Sequence, residues 1–222
     1  MKIICIIPAR KNSKRIKNKN IKKIFSKSLI YWTINFAKKL NNISDIIVTT
    51  DSKKIQEISK KNSLKYVFKR NKSLSKSSTP MIDVVKDVLR RYKKRADAIL
   101  LLQPTTPYRN IFKFNKTIRR FIITKEDMIS VGKKIKNKDI CSIKKNRIFF
   151  NKKSKKLMTV NGALYLIKVK SLLKNNSFKL NNSTPIFMGQ KAENFNLDTN
   201  IDWKNCISYF KINKKFKQYF KQ

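Results

Sequence analysis

Histidine is absent from the 222 residues, glycine occurs three times, and aspartate plus glutamate total only 12. Without histidine there is no Ser-His-Asp or Cys-His pair, and no zinc site of the usual Cys/His kind. Gly132, Gly162 and Gly189 stand far apart. Neither a phosphate-binding P-loop nor a glycine-rich dinucleotide turn can therefore be written anywhere, which removes the kinase and dehydrogenase readings that depend on them. Cys5, Cys141 and Cys206 show no paired spacing, so the chain reads as lacking a disulfide framework and as suited to a reducing compartment. Cys5, inside an apolar run, reads as a small buried hydrophobe. No stretch is long enough to span a bilayer. The short run at residues 3–7 leads at once into Arg10, Lys11, Lys14 and Arg15, unlike a secretory signal. A cytoplasmic protein without a membrane partner is expected.

Positive charge is what the chain has in excess. The 55 lysines and arginines against 12 acidic residues give a formal net charge of +43, a balance that points first to nucleic acid or an anionic surface. The lysines, however, run from Lys2 to Lys221 without gathering on one stretch, which reads as a bias spread over solvated faces rather than a specific nucleic-acid site. Such a field still attracts nucleotides and acidic sugars. Apolar residues at 41% of the chain suffice for one folded domain.

Residues 2–7, unbroken and apolar after Lys2, show the pattern of a strand buried on both faces, and Pro8 ends it. A polar basic loop follows through residue 23. Ser28 can cap a helix reaching Leu40, residues 45–49 read as a second strand, and Asp51 as the cap of a helix bearing Ile55 and Ile58. A third strand at 64–68, a helix opened by Thr79-Pro80 and a fourth strand at 98–102 follow. Beyond Arg109 come a helix through Phe114, Ile118 and Phe121, and a strand at 128–131. The remainder reads as a hairpin near 147–150, a strand at 161–167, an edge piece at 195–197, a helix at 202–210 and a basic tail at 211–222. Strands alternating with helices predict βαβ units and a mainly parallel, three-layer α/β domain over residues 1–222.

Ligands of open parallel sheets bind outside the carboxyl ends of the strands. Three polar segments fall there: residues 8–20, 68–79 and 103–109. The first offers Arg10, Lys11, Ser13, Lys14 and Arg15, a set suited to a polyphosphate through charge-assisted hydrogen bonds, with a solvated basic loop as the alternative. Among the few acids, Asp198 and Asp202 lie close together and could supply the one or two carboxylates that phosphate-bound Mg2+ takes from protein. Asp202, just before Trp203, reads better as a helix cap.

Eight short motifs in order carry a resemblance. They are Ile7-Pro8-Ala9-Arg10 with Ser13-Lys14 and Lys19-Asn20, Thr49-Thr50-Asp51, Phe68-Lys69-Arg70, residues 101–109 (LLQPTTPYR), Asn161-Gly162-Ala163 and Leu197-Asp198-Thr199. Together they resemble the acylneuraminate cytidylyltransferases, the CMP-N-acetylneuraminate synthetases, whose relatives act on legionaminic acid. The resemblance implies a nucleotide-diphospho-sugar-transferase-like, Rossmann-like αβα fold with a small β-rich dimerisation element, here at about 133–160. It implies that CTP and a nonulosonic acid form a CMP-sugar and pyrophosphate with Mg2+, in a homodimer that serves surface glycan synthesis.

The same resemblance assigns residues. Arg10 and Lys19 would be catalytic, holding the triphosphate as pyrophosphate leaves, with Ser13, Lys14 and Asn20 assisting. Ala9, Asn20 and Arg70 would bound the nucleoside, and Gln103, Asn161 and Tyr165 would face the sugar acid. Asp198 and Asn196 would reach the metal. From the residues alone, Gln103 and Thr105 equally suit a proline-rich turn and Tyr165 a strand core. The chain departs from the family at Asn12, where glycine is usual, at Asn196, where a second aspartate is usual, and at Pro80-Met81, where a serine pair is usual. The loss of glycine shifts phosphate recognition from backbone amides to Arg10, Ser13, Lys14 and Lys19. A GTP-using legionaminate-type enzyme, a degenerate nucleotide-binding homologue and a nucleic-acid-binding module remain open alternatives, as does the identity of the sugar acid.

Overall fold

The computed structural model describes residues 1–135, 141–144, 147–149, 157–180, 183–187 and 189–220, with backbone alone for those in 131–161 and for 187, 215 and 217. Strands β1 (Ile3–Pro8), β2 (Lys23–Ile24), β3 (Lys27–Ser28), β4 (Asp45–Thr50), β5 (Tyr66–Lys69) and β6 (Ala98–Leu101) fill the first half. Helices α1 (Leu29–Lys38), α2 (Lys53–Lys61), α3 (Met81–Arg91) and α4 (Ile111–Thr124) connect them and lead onward. The second half holds β7 (Met128–Ile135), β8 (Cys141–Lys144), β9 (Arg147–Phe149), β10 (Leu157–Lys168) and β11 (Thr184–Phe187). Its helices are α5 (Val169–Asn175), α6 (Asn200–Ile212) and α7 (Lys214–Lys217).

The main sheet follows the path β11-β7-β10-β6-β1-β4-β5. β1 pairs in parallel with β4 and β6, and β4 with β5, while β10 runs antiparallel between β6 and β7. All six residues of β1 are buried, as expected of a strand covered on both faces. Alternation along β1 sends Ile3, Cys5 and Ile7 into a core with Ile30, Ile34, Phe114 and Ile118. Ile4 and Ile6 enter the opposite core with Ile82, Val85, Val88 and Leu172. The three-layer α/β architecture follows from that period of two.

A third cluster closes the molecule at one end, packing Ile16, Ile24, Leu29 and Trp32 against Leu197, Trp203, Phe210, Phe216 and Phe220. The tail is therefore partly core: Phe220 stands edge-on to Trp32 at 4.9 Å, and Tyr219 lies 4.9 Å from Tyr108.

Several local expectations need correction. Ser52, not Asp51, caps α2 and accepts from the Ile55 N–H at 3.4 Å; Asp51 sits one residue too early and instead accepts from the Lys11 N–H at 2.6 Å. Pro80 is the N-cap of α3 rather than its first helical residue. Residues 195–197 are not a strand. Among the described residues the edge is β11, which pairs with β7 and tolerates Pro185 because an edge strand can leave an amide unpaired. The hairpin expected near 147–150 is β8–β9, attached to β10. Half of the proposed dimerisation element at 133–160 lies outside the described residues.

Candidate active site

Strands β1, β4, β5 and β6 end on the same side of the sheet because they run parallel, and the segments that leave β1, β5 and β6 enclose a cavity of about 230 Å³. Arg10, Ser13, Lys19, Asn20, Arg70 and Gln103 line it. Lys76, Thr79 and Thr105 line it as well; sequence reasoning gave them no place among the site residues, although Lys76 and Thr79 belong to the polar run after Arg70 at a strand end. Among the described residues the buried Thr105 Oγ1 atom has no hydrogen-bond partner.

On the cationic side, Lys19 opens a short 3-10 turn after Asn18, whose φ of 54° is left-handed and suits asparagine. Its Nζ donates to the Leu197 carbonyl at 2.8 Å and to Asp198 Oδ1 at 3.1 Å. Burial pulls the Lys19 pKa below the usual lysine value, while Asp198 opposes the shift. Asn20 Nδ2 donates to the Arg10 carbonyl at 2.9 Å and so ties the two ends of the loop together. Arg70 is 5% exposed and donates to the Thr49 carbonyl at 2.7 Å and to its Oγ1 at 3.3 Å. Burial brings its pKa down to about 10, with Asp51 opposing. Asn12 is not among the positive-φ residues, so its backbone does not require the glycine that the family usually has there.

The neutral side is built differently. The Gln103 amide donates to the Gly162 carbonyl at 3.1 Å, and its side chain lies against Gly162, where an added Cβ would come within 2.0 Å of Oε1. Only glycine permits that approach. Behind the turn, Arg109 is 1% exposed. Its Nε donates to the Ala163 carbonyl at 3.0 Å, Nη1 to Thr106 at 2.6 Å and Nη2 to Gln103 at 2.5 Å. Burial brings the Arg109 pKa down to about 10. The sequence had marked this residue only as the end of a motif.

Other expected site residues fall elsewhere. Ala9 is wholly buried, and its N–H extends the β1–β4 ladder to the Thr49 carbonyl at 3.0 Å. Lys14 is exposed and outside the cavity lining. Tyr165 also lies outside the lining and joins the core on the α3 face, its ring 5.6 Å from Phe178. Asn161 is on β10, but its side chain lies outside the described residues.

Asp198 and Asn196 stand behind Lys19. Asn196 Nδ2 donates to Asp198 Oδ2 at 2.8 Å, and Arg15 Nη2 is 3.9 Å from Asp198 Oδ1. The Asn196 Oδ1 is buried and, among the described residues, without a partner. One carboxylate beside one orphaned amide oxygen fits a Mg2+ ion that takes most of its shell from phosphate and water. Asp202 has a different role: it completes a capping box with Thr199 at the start of α6. Among the described residues no group of three or more Cys, Asp or Glu could hold a metal alone.

A family model described as Cytidylyltransferase matches residues 4–216. A CMP-N,N'-diacetyllegionaminic acid synthase of Legionella pneumophila is 26% identical over 97% of this chain and 99% of its own length. A pseudaminic acid cytidylyltransferase of Campylobacter jejuni is 33% identical over 55% of the chain and 54% of its own length. Among solved structures, a CMP:2-keto-3-deoxy-manno-octonic acid synthetase complexed with CTP superposes with a TM-score of 0.73 at 13% identity, covering 96% of this chain and 99% of its own. At that identity the likeness speaks for the fold.

Proposed function

From the premise that the chain belongs to the cytidylyltransferase family, we propose that it transfers a cytidylyl group from CTP to a nonulosonic acid and releases pyrophosphate. The relatives named for legionaminic, pseudaminic and N-acylneuraminic acids support the sugar class. The observation that carries the reading is one cavity with two chemically distinct sides, buried or half-buried Arg10, Lys19 and Arg70 on one and Gln103 on the other.

The anomeric hydroxyl oxygen of the sugar acid attacks the α-phosphorus in line, and the bond from that phosphorus to the bridging oxygen breaks as pyrophosphate leaves. This displacement needs no protein nucleophile, so a chain without histidine can perform it through positioning and electrostatics. Arg10 and Lys19 meet the negative charge that grows on the departing oxygens. Asp198 keeps the Lys19 ammonium aimed and protonated. Arg70, fixed to Thr49, bounds the nucleoside. Asp198 and Asn196 Oδ1 would hold Mg2+, which would neutralise phosphate charge. In this reading the enzyme works in the cytoplasm as a homodimer. No helix among the described residues is long and apolar enough to cross a membrane.

Pyrophosphate release measured with CTP or GTP against a panel of nonulosonic acids tests the reading. Release is expected with CTP and at least one acid, and with neither nucleotide when Arg10→Ala or Lys19→Ala is used. CTP binding without release under any condition overturns it in favour of a degenerate homologue. Salt-sensitive DNA binding without CTP affinity overturns it in favour of a nucleic-acid module.

A further inference from the structure

We propose that Arg109 is the positioning residue of the sugar-acid side of the cavity, acting through Gln103 without touching substrate. The inference rests on the functional reading above and deepens it. A guanidinium that is 1% exposed and, among the described residues, has no carboxylate in salt-bridge contact is costly to bury. Packing alone would be served at less cost by an apolar side chain of similar volume. What an apolar side chain cannot do is collect three carbonyls from two parts of the fold.

Arg109 does this with three of its nitrogens. Two bonds go to Gln103 and Thr106, at either end of the turn after β6, and the third crosses to Ala163 on β10. The planar fork sets the spacing between turn and strand. Phe36 backs it, with the guanidinium carbon 5.7 Å from the ring centroid. That spacing is the gap in which the Gln103 side chain lies against Gly162. The position of Gln103 in the cavity is therefore determined from below by Arg109 and from the side by the missing Cβ of Gly162. Lysine cannot replace the fork, because its single ammonium cannot reach three carbonyls in fixed directions.

The test is steady-state kinetics on wild type, Arg109→Lys and Gly162→Ala, with the KM for CTP and for the sugar acid read separately. The expected result for each variant is a rise of about tenfold or more in the sugar-acid KM, with the CTP KM within about threefold, since small misplacements of a binding group produce losses of this order. The double variant is expected to fall short of the product of the two effects, because both act on one side chain. Should Arg109→Lys fail to fold, Gly162→Ala displaces Gln103 and gives the answer alone. Equal rises in both KM values, or an unchanged sugar-acid KM in the folded variants, overturn the inference while leaving the functional reading intact. A wild type that releases pyrophosphate with no sugar acid overturns both.

Discussion

The two sides of the cavity are held in different ways. The turn at residues 103–109 is clamped by a buried guanidinium to three carbonyls, and Leu197 adds a fourth tie by donating its N–H to the Thr105 carbonyl at 2.8 Å. The loop at residues 9–20 is tied through Asn20 to Arg10, Lys11 to Asp51 and Lys19 to Asp198, and is pinned by buried Ile16, so that the exposed tip before Ile16 is short. Between them Asn12 and Lys14 are exposed. The neutral side is thus preorganised, whereas the cationic side has an exposed tip. On the proposed reading, the more firmly held side is the one that would orient the sugar, and the exposed tip lies where the triphosphate would enter and leave.

The sharpest way to break this contrast is at Lys19. Lys19→Ala removes the buried cation and is expected to lower kcat/KM by about 100-fold or more, the scale for losing one electrostatic contact in a transition state, with the circular dichroism spectrum unchanged. Phe220→Ala attacks the neutral side from behind, since the tail packs on Tyr108 and Trp32. Loss of about 3 kcal/mol in denaturant unfolding is expected, and the sugar-acid KM should rise more than the CTP KM. Asn20→Ala releases the end of the cationic loop and is expected to raise the CTP KM about tenfold, from the loss of one buried hydrogen bond, without altering the sugar-acid KM.

A pH profile sharpens the same comparison with a smaller effect. Burial makes the Lys19 ammonium release its proton at lower pH than an ordinary lysine. Activity that needs the cation is fully present below the folded pKa and is lost as pH rises through it, so the alkaline limb of kcat/KM for CTP should fall short of the normal lysine range. Lys19→Arg should move that limb upward. The smallest effect is expected from Asp51→Asn, which weakens one exposed bond to Lys11 and should change the CTP KM only about two- to threefold.

Much of this architecture was legible from residue order, for physical reasons that also explain what was not. The apolar run of β1 could hardly be anything but a central strand, and the polar segments after β1, β5 and β6 had to share one edge once those strands ran parallel. β11 escaped notice because Pro185 in a four-residue strand cancels the β-branched signal. Tyr165 was assigned to the sugar although the period of two puts it on the same face as Ile167; which face lies under the cavity is decided by tertiary packing. Arg109 was visible only as a letter in a motif. Its role depends on Ala163, 54 residues away, and no local pattern encodes that distance.

The Lys19–Asp198 pair joins residues 179 apart in the chain, and this separation bears on kinetics. Closing so large a loop has an entropic cost that must be met by contacts already in place. The cationic side of the cavity is thus expected to assemble only after the sheet has formed, and to open before the sheet does. Slow hydrogen exchange across β1 together with early protease cleavage in residues 11–17 would be the signature of a binding loop whose order reports on the docking of the chain's distant end.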